Sequence, residues 1–268
     1  LYNNPSVFDA LAGEMMKFSG GGRRNASWAW ILVLLICLPG SAQDKGKEPR
    51  WQGNLSLGLS IAKGNTNSTS FSFIFAAGGP INQSKSAVWE NKGVFLFSRT
   101  EGKTSAESLL VGSRIDWKYS GRYFAYAELQ GLRDRFKNFS YRILPSFGFG
   151  YKILNGNSAS LRLDIGLSQV FTQYYDTKDT ESFTGLKSGQ QFGWKISKSA
   201  EIREILEINF DVRRMSDFFL RLQADLITAI TESWSVKLTF IEGYDNMPVG
   251  TRIKKNDITF IAGISRKF

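Results

Sequence analysis

From residue 51 to the end of the chain, apolar and polar side chains alternate in segment after segment. No apolar run there approaches the ~20 residues that a membrane-crossing helix needs. The clearest case sets Leu161, Leu163, Ile165 and Leu167 on one parity against Arg162, Asp164, Gly166 and Ser168 on the other. Successive side chains of a strand point to opposite faces, so this period of two describes a strand with one greasy and one wet face. The split recurs in Leu55, Leu57, Leu59 and Ile61; in Phe71, Phe73 and Phe75; in Leu206, Ile208, Phe210 and Val212; and in Trp234, Val236, Leu238 and Phe240. Each segment runs for about 10 to 13 residues, the length at which a tilted strand covers the apolar thickness of a bilayer.

A bilayer offers no water to unpaired backbone groups, so a sheet spans it only by closing on itself. The fold class expected is therefore all-β: a closed antiparallel up-and-down transmembrane β-barrel. The alternation predicts twelve strands, near 51–63, 67–78, 86–99, 106–119, 122–134, 140–153, 159–172, 181–196, 200–213, 217–228, 233–244 and 256–268. Ten or fourteen strands remain open at this stage, because 181–196 and 217–228 alternate less cleanly. Tight polar turns are expected at Ser120-Gly121, Asn155-Gly156-Asn157, Ser197-Lys198-Ser199 and Thr231-Glu232, where Gly and Asn tolerate positive φ. Longer outside loops are expected near 100–105, 135–139, 173–180 and 245–255. Aromatic content of 14% with 26 glycines and 6 prolines suits such a chain but does not separate a membrane barrel from a soluble carrier with an apolar interior.

Residues 23 to 43 have the layout of a Sec signal peptide: basic Arg23 and Arg24, an apolar run from Trp28 to Leu38, a Pro39-Gly40 break, and small residues ahead of Gln43. The domain division expected is thus 1–42, an upstream extension plus cleaved signal, and 43–268, the barrel. The single cysteine, Cys37, falls in the removed part, which leaves the mature chain without thiol chemistry.

Trp51, Trp117, Tyr119, Tyr123, Tyr151, Trp194 and Trp234 sit near strand ends and are expected to form girdles at the two membrane interfaces. The chain closes on an alternating strand (Ile258, Phe260, Ala262, Ile264) ending in Phe268. With Gly263, that terminal aromatic resembles the signal read by the machinery that inserts outer-membrane barrels. The opening Trp51-Gln52-Gly53-Asn54-Leu55-Ser56-Leu57-Gly58-Leu59-Ser60, followed by Gly64-Asn65-Thr66-Asn67-Ser68, resembles the salt-induced outer-membrane protein family, domain of unknown function 481. The resemblance implies an outer-membrane barrel with no settled activity and no catalytic set to carry over. Gly64-Asn65 also reads as a plain hairpin turn.

The chain has no histidine, which removes the usual general base and the commonest metal ligand. No catalytic, cofactor-binding or metal residues are assigned, and no cofactor is expected. Asp176, Asp179 and Glu181 supply hard oxygen ligands, yet their spacing matches no calcium loop. The net charge of +10 is scattered rather than clustered, and export separates the chain from nucleic acid, so no nucleic-acid partner is expected. What the polar parity does carry is charge. Arg114, Asp116, Arg162, Asp164, Arg203, Glu207, Asp211, Arg221 and Asp225 are expected to line the lumen, together with Glu128, Lys118, Arg213 and Lys237. Such charges either close a narrow barrel by pairing or line a wet pore, and parity does not choose between them. Loop cations Arg99, Lys103, Arg135, Lys137, Arg252, Lys254 and Lys255 are placed to meet lipopolysaccharide phosphates. The function expected is a non-enzymatic outer-membrane barrel, either a small-solute or ion channel or an envelope-structural protein with the salt link the resemblance implies. The alternative is a membrane-embedded enzyme working on lipid or peptide through carboxylates or a serine.

Overall fold

The computed structural model describes residues 51–62, 68–81, 86–250 and 253–268. The expected signal peptide, Cys37, Gly64-Asn65-Thr66-Asn67 and Arg252 lie outside them. Twelve strands form one closed antiparallel barrel: β1 (Gln52–Ala62), β2 (Ser68–Pro80), β3 (Ala87–Thr100), β4 (Lys103–Lys118), β5 (Tyr123–Asp134), β6 (Phe139–Asn155), β7 (Ala159–Tyr174), β8 (Thr180–Lys195), β9 (Ala200–Asp211), β10 (Arg214–Ala229), β11 (Trp234–Asp245) and β12 (Asn256–Lys267). Each strand pairs with its neighbours in sequence, and β12 returns to β1.

The greasy parity faces out. Leu163, Ile165 and Leu167 on β7, Phe147 and Phe149 on β6, Val236 and Leu238 on β11, and Phe260 and Ile264 on β12 are all exposed. The polar parity is buried: Arg114, Asp116, Glu128, Asp164, Lys187 and Glu207 are each less than a tenth exposed. A soluble barrel would show the reverse, so the inside-out distribution matches a barrel solvated by lipid. On β6 the outward row from Tyr141 to Tyr151 covers ten residue steps. At ~3.4 Å per step and a tilt near 40°, that row is about 26 Å tall, the height of a bilayer's apolar band.

Two expectations need correction. No long loop occupies 100–105: β3 and β4 run on to a two-residue turn in which Glu101 and Gly102 both have positive φ (51° and 73°). That is the geometry whose twist matches the flanking strands, and it lets the ladder continue where a loop was expected. The named aromatics also do not divide between two interfaces. Trp51, Trp117, Tyr119, Tyr123, Tyr151, Trp194 and Trp234 all sit at the end that carries the start of β1, the close of β12 and the turns after β4, β6, β8 and β10. Trp89 joins them, edge-on to Trp51 at 5.6 Å, and Tyr123 packs on Tyr151 at 4.8 Å. In an up-and-down barrel the starts of odd strands and the ends of even strands share one rim, and all seven aromatics lie there.

The opposite end holds the links after β5, β7 and β11. There Asn138, in a left-handed conformation (φ 65°), accepts hydrogen bonds from the backbone of Tyr175 and Asp176 through its Oδ1, tying two links together.

Candidate functional site: charges across the lumen

Inward side chains from β3, β4, β5, β7, β8 and β9 meet in one network. Lys92 on β3 reaches Glu207 on β9 at 3.1 Å and Glu128 on β5 at 3.4 Å. Strands β3 and β9 stand six places apart in a ring of twelve, so this pair joins opposite walls. Lys187 on β8 bridges the same two carboxylates, touching Glu128 and lying 3.5 Å from Glu207. Gln130 donates to both, at 2.6 Å to Glu128 and 2.8 Å to Glu207.

Arg114 on β4 is the second hub. Its guanidinium contacts Asp116 at 2.7 Å, Asp164 on β7 at 3.0 Å and Glu128 at 3.5 Å, and lies 4.0 Å from the centre of the Tyr126 ring. Arg162 on β7 extends the chain of pairs to Asp116 and to Glu90 on β3, both at 2.9 Å. Burying so many charges is strongly unfavourable unless each finds partners, and a connected set of this kind supplies them.

Glycine makes room for the network. Gly148 and Gly166 face each other across β6 and β7. A Cβ on Gly166 would strike the Phe147 carbonyl and the Tyr126 hydroxyl, so the glycine is what allows Tyr126 to lie flat beneath Arg114. A Cβ on Gly189 would likewise meet the Asp164 carboxylate.

Two further tiers cross the lumen toward the end bearing the longer links. The first is apolar: Ile74, Val94 and Leu110, with Leu96, Leu132, Ile241 and Ile261 packed on them. Leu132 on β5 and Ile241 on β11 again come from opposite walls. The second is built on Arg142, whose guanidinium lies 3.9 Å from the Phe139 ring centre and 4.6 Å from that of Phe219. Its Nε donates to Thr172 at 2.9 Å, and Asp245 lies 3.9 Å away.

Of the residues expected to line the lumen, Arg114, Asp116, Glu128, Arg162, Asp164 and Glu207 belong to the central network. Arg221 adjoins it, donating to Gln223 at 3.1 Å. Asp225 forms a separate buried pair with Lys237 at 3.0 Å and accepts from Thr239 at 2.8 Å. Asp211 is spent on Arg213 in the turn after β9 (3.0 Å), and Arg203 on Glu201 near the other rim (2.8 Å). Arg213 and Lys118, expected inside, are exposed at strand ends, because inward parity persists past the point where a strand leaves the barrel. Lys92, Glu90, Lys187, Gln130 and Tyr126 were missed, although a signal existed. Lys92 keeps step with Val94, and Lys187 stands between Gly185 and Gly189 on the inward parity.

Gly263 and Phe268 both lie at the closing seam. Gly263 faces Gly58 on β1, and a Cβ there would strike the Leu57 carbonyl. Phe268 exchanges two 3.1 Å backbone hydrogen bonds with Gly53 and lays its ring over that glycine. Arg266, an unusual cation on the outward parity, lies 5.6 Å from the Trp234 ring centre, a cation–π contact.

A family described as a protein of unknown function, DUF481, matches residues 55–268. The uncharacterized protein YdiY of Escherichia coli (strain K12) is 23% identical over 202 residues, covering 75% of this chain and 77% of that protein. Among solved structures, an outer membrane channel from Pseudomonas putida F1 superposes with a TM-score of 0.47 at 10% identity, over 85% of this chain and 98% of that one. The NanC porin does so with a TM-score of 0.44 at 8% identity, over 81% and 96%.

Proposed function

We propose, from the premise that the chain belongs to the DUF481 family of proteins of unknown function, that this barrel resides in the outer membrane with its lumen closed and acts as an envelope-structural element. The observation that carries the reading is the Lys92–Glu207 pair, which links opposite walls and is braced by Lys187, Gln130 and the apolar tier beyond it. A permanently open solute channel would instead hold its charges apart along a wet wall. Outer-membrane residence is supported by the apolar outer band, the even strand number and the aromatic rim.

In this reading the partners are membrane lipid and, at the end with the longer links, lipopolysaccharide phosphates that meet Arg135, Lys254 and Lys255. The barrel-insertion machinery would read the last strand through Phe268. The barrel is not an enzyme: the carboxylates that would serve as acid and base, Asp164 and Glu207, are already engaged by Arg114 and by Lys92 and Lys187. The salt link implied by the resemblance is placed in the demand for a closed wall under osmotic load. Buried pairs are screened weakly, so salt itself does not open the barrel.

Swelling of vesicles containing the refolded protein in a small sugar tests this directly. The wild-type barrel should swell no faster than empty vesicles, because the charge network, the apolar tier and the Arg142 tier each cross the lumen. Rapid swelling of the wild type would overturn the reading.

A further inference from the structure

Strand β8 departs from the greasy outer wall. Gly185, Lys187 and Gly189 hold its buried, inward parity, so its outward row carries Ser182, Thr184, Ser188 and Gln190, with Leu186 the one aliphatic side chain. Both parities are polar, which is why this segment alternates weakly in the sequence. The next strand adds a carboxylate. Glu204 on β9 shares the outward parity of Leu206 and Ile208, and Gln190 Nε2 donates to its Oε1 at 3.0 Å. Among the described residues no cation pairs with Glu204, and the Ser188 hydroxyl has no hydrogen-bond partner.

These groups stand well below the rim. Gln190 and Ser188 lie four and six residue steps inside Trp194, one of the rim aromatics. At ~3.4 Å per step and a tilt near 40°, that is about 10 Å and about 16 Å into the apolar band. Glu204, four steps from Ala200 at the same rim, shares the depth of Gln190. Hydrocarbon offers neither donors nor acceptors, so a carboxylate, an amide and a hydroxyl turned toward lipid here are costly. The patch is two strands wide. Leu163 and Ile165 on β7 and Leu222 and Leu226 on β10 border it with apolar side chains, and two convex barrels set side by side touch along just such a narrow band.

The chemistry of the patch fits a second copy of itself. A membrane gives every copy the same up–down sense, so a two-fold axis along its normal brings together residues of equal depth. At the level of Gln190 and Glu204, that symmetry sets the amide of each copy against the carboxylate of the other, donor to acceptor in both directions. The existing 3.0 Å bond leaves Oε2 of Glu204 and the second amide hydrogen of Gln190 for the exchange. Ser188, deeper in the same band, both donates and accepts and suits the same partner.

We propose that the outer faces of β8 and β9 are the contact through which two copies of this barrel pair in the membrane, with Gln190 of each copy donating to Glu204 of the other. This rests on the reading that the outer face lies in a bilayer.

The test is photocrosslinking of the full-length mature barrel, reconstituted at low protein density in vesicles of phosphatidylethanolamine and phosphatidylglycerol. A p-benzoylphenylalanine replaces either Phe192, which stands opposite Glu204, or Phe260, an exposed outward ring on β12. Irradiation is expected to give a covalent dimer from 192 and lipid adducts from 260. Gln190→Leu combined with Glu204→Leu turns the patch apolar, so this variant should keep its heat-modifiable folded band while the dimer from 192 falls about tenfold or more, as loss of hydrogen bonds between membrane-embedded partners requires. Lipid adducts alone from 192 overturn the pairing. A dimer as abundant from 260 as from 192 marks random collision and also overturns it. A dimer undiminished in the double variant overturns the part given to Gln190 and Glu204, and loss of that variant's folded band overturns their placement on the outer wall. Absence of lipid adducts from 260 overturns the membrane placement on which the contact rests.

Discussion

Replacing Ile165 with arginine tests the inside-out arrangement by its energetic consequence. Ile165 is 57% exposed on the outward face of β7, opposite Phe149 on β6 and Ser188 on β8. The outward row of β7 begins near one rim at Leu161, four residue steps away. At ~3.4 Å per step and a tilt near 40°, Ile165 lies about 10 Å inside that level, well within the hydrocarbon. An outward arginine costs roughly 2–4 kcal/mol near the bilayer middle and about 0–1 kcal/mol near its edge. Ile165→Arg should therefore destabilise the barrel by about 3 kcal/mol, and Leu161→Arg by under about 1 kcal/mol. A gap of about 2 kcal/mol is roughly a thirtyfold difference in the folded-to-unfolded ratio. Reversible denaturant unfolding from phosphatidylcholine vesicles measures both. If the two variants fall within about 0.5 kcal/mol of each other, the ordinary scatter of surface substitutions, the outer face is not in lipid.

Other consequences are as definite. Glu207→Leu leaves Lys92 and Lys187 facing a missing carboxylate and should cost about 3–5 kcal/mol, part of which Lys92→Met restores; strictly additive unfolding energies would deny the coupling. Gly166→Val drives side-chain atoms into the Phe147 carbonyl and the Tyr126 hydroxyl, so the heat-modifiable folded band should disappear on gels; a normal band would refute the packing of Tyr126. Vesicle permeability of the wild type should stay at the empty-vesicle level from low to near-molar salt, because buried pairs escape most screening; a salt-induced rise would place the salt response in the network itself.

The strands were legible because lipid outside and charge inside write a period-two pattern with unusual contrast. Even the weaker segments 181–196 and 217–228 proved to be β8 and β10. The largest errors fell where turn geometry, not polarity, ends a strand. β4 begins at Lys103, ahead of the expected 106, because the Glu101-Gly102 turn is tight enough to carry the ladder on past a bulge at Ser98–Arg99. The inward parity of Arg114, Asp116, Asp164 and Glu207 was equally plain. What parity cannot encode is which wall a long side chain reaches. That Lys92 meets Glu207, 115 positions away, depends on ring closure and on where glycines thin the wall. The closing seam has the same character, since Gly58 and Gly263 read as ordinary strand glycines until the register sets them opposite each other.

Planar-bilayer recording of the refolded mature barrel reads whether the lumen is closed. With insertion confirmed independently, the wild type should give no stable openings under either polarity. Steady, discrete conductance steps from the unmodified protein would show that the charges line a pore rather than seal it.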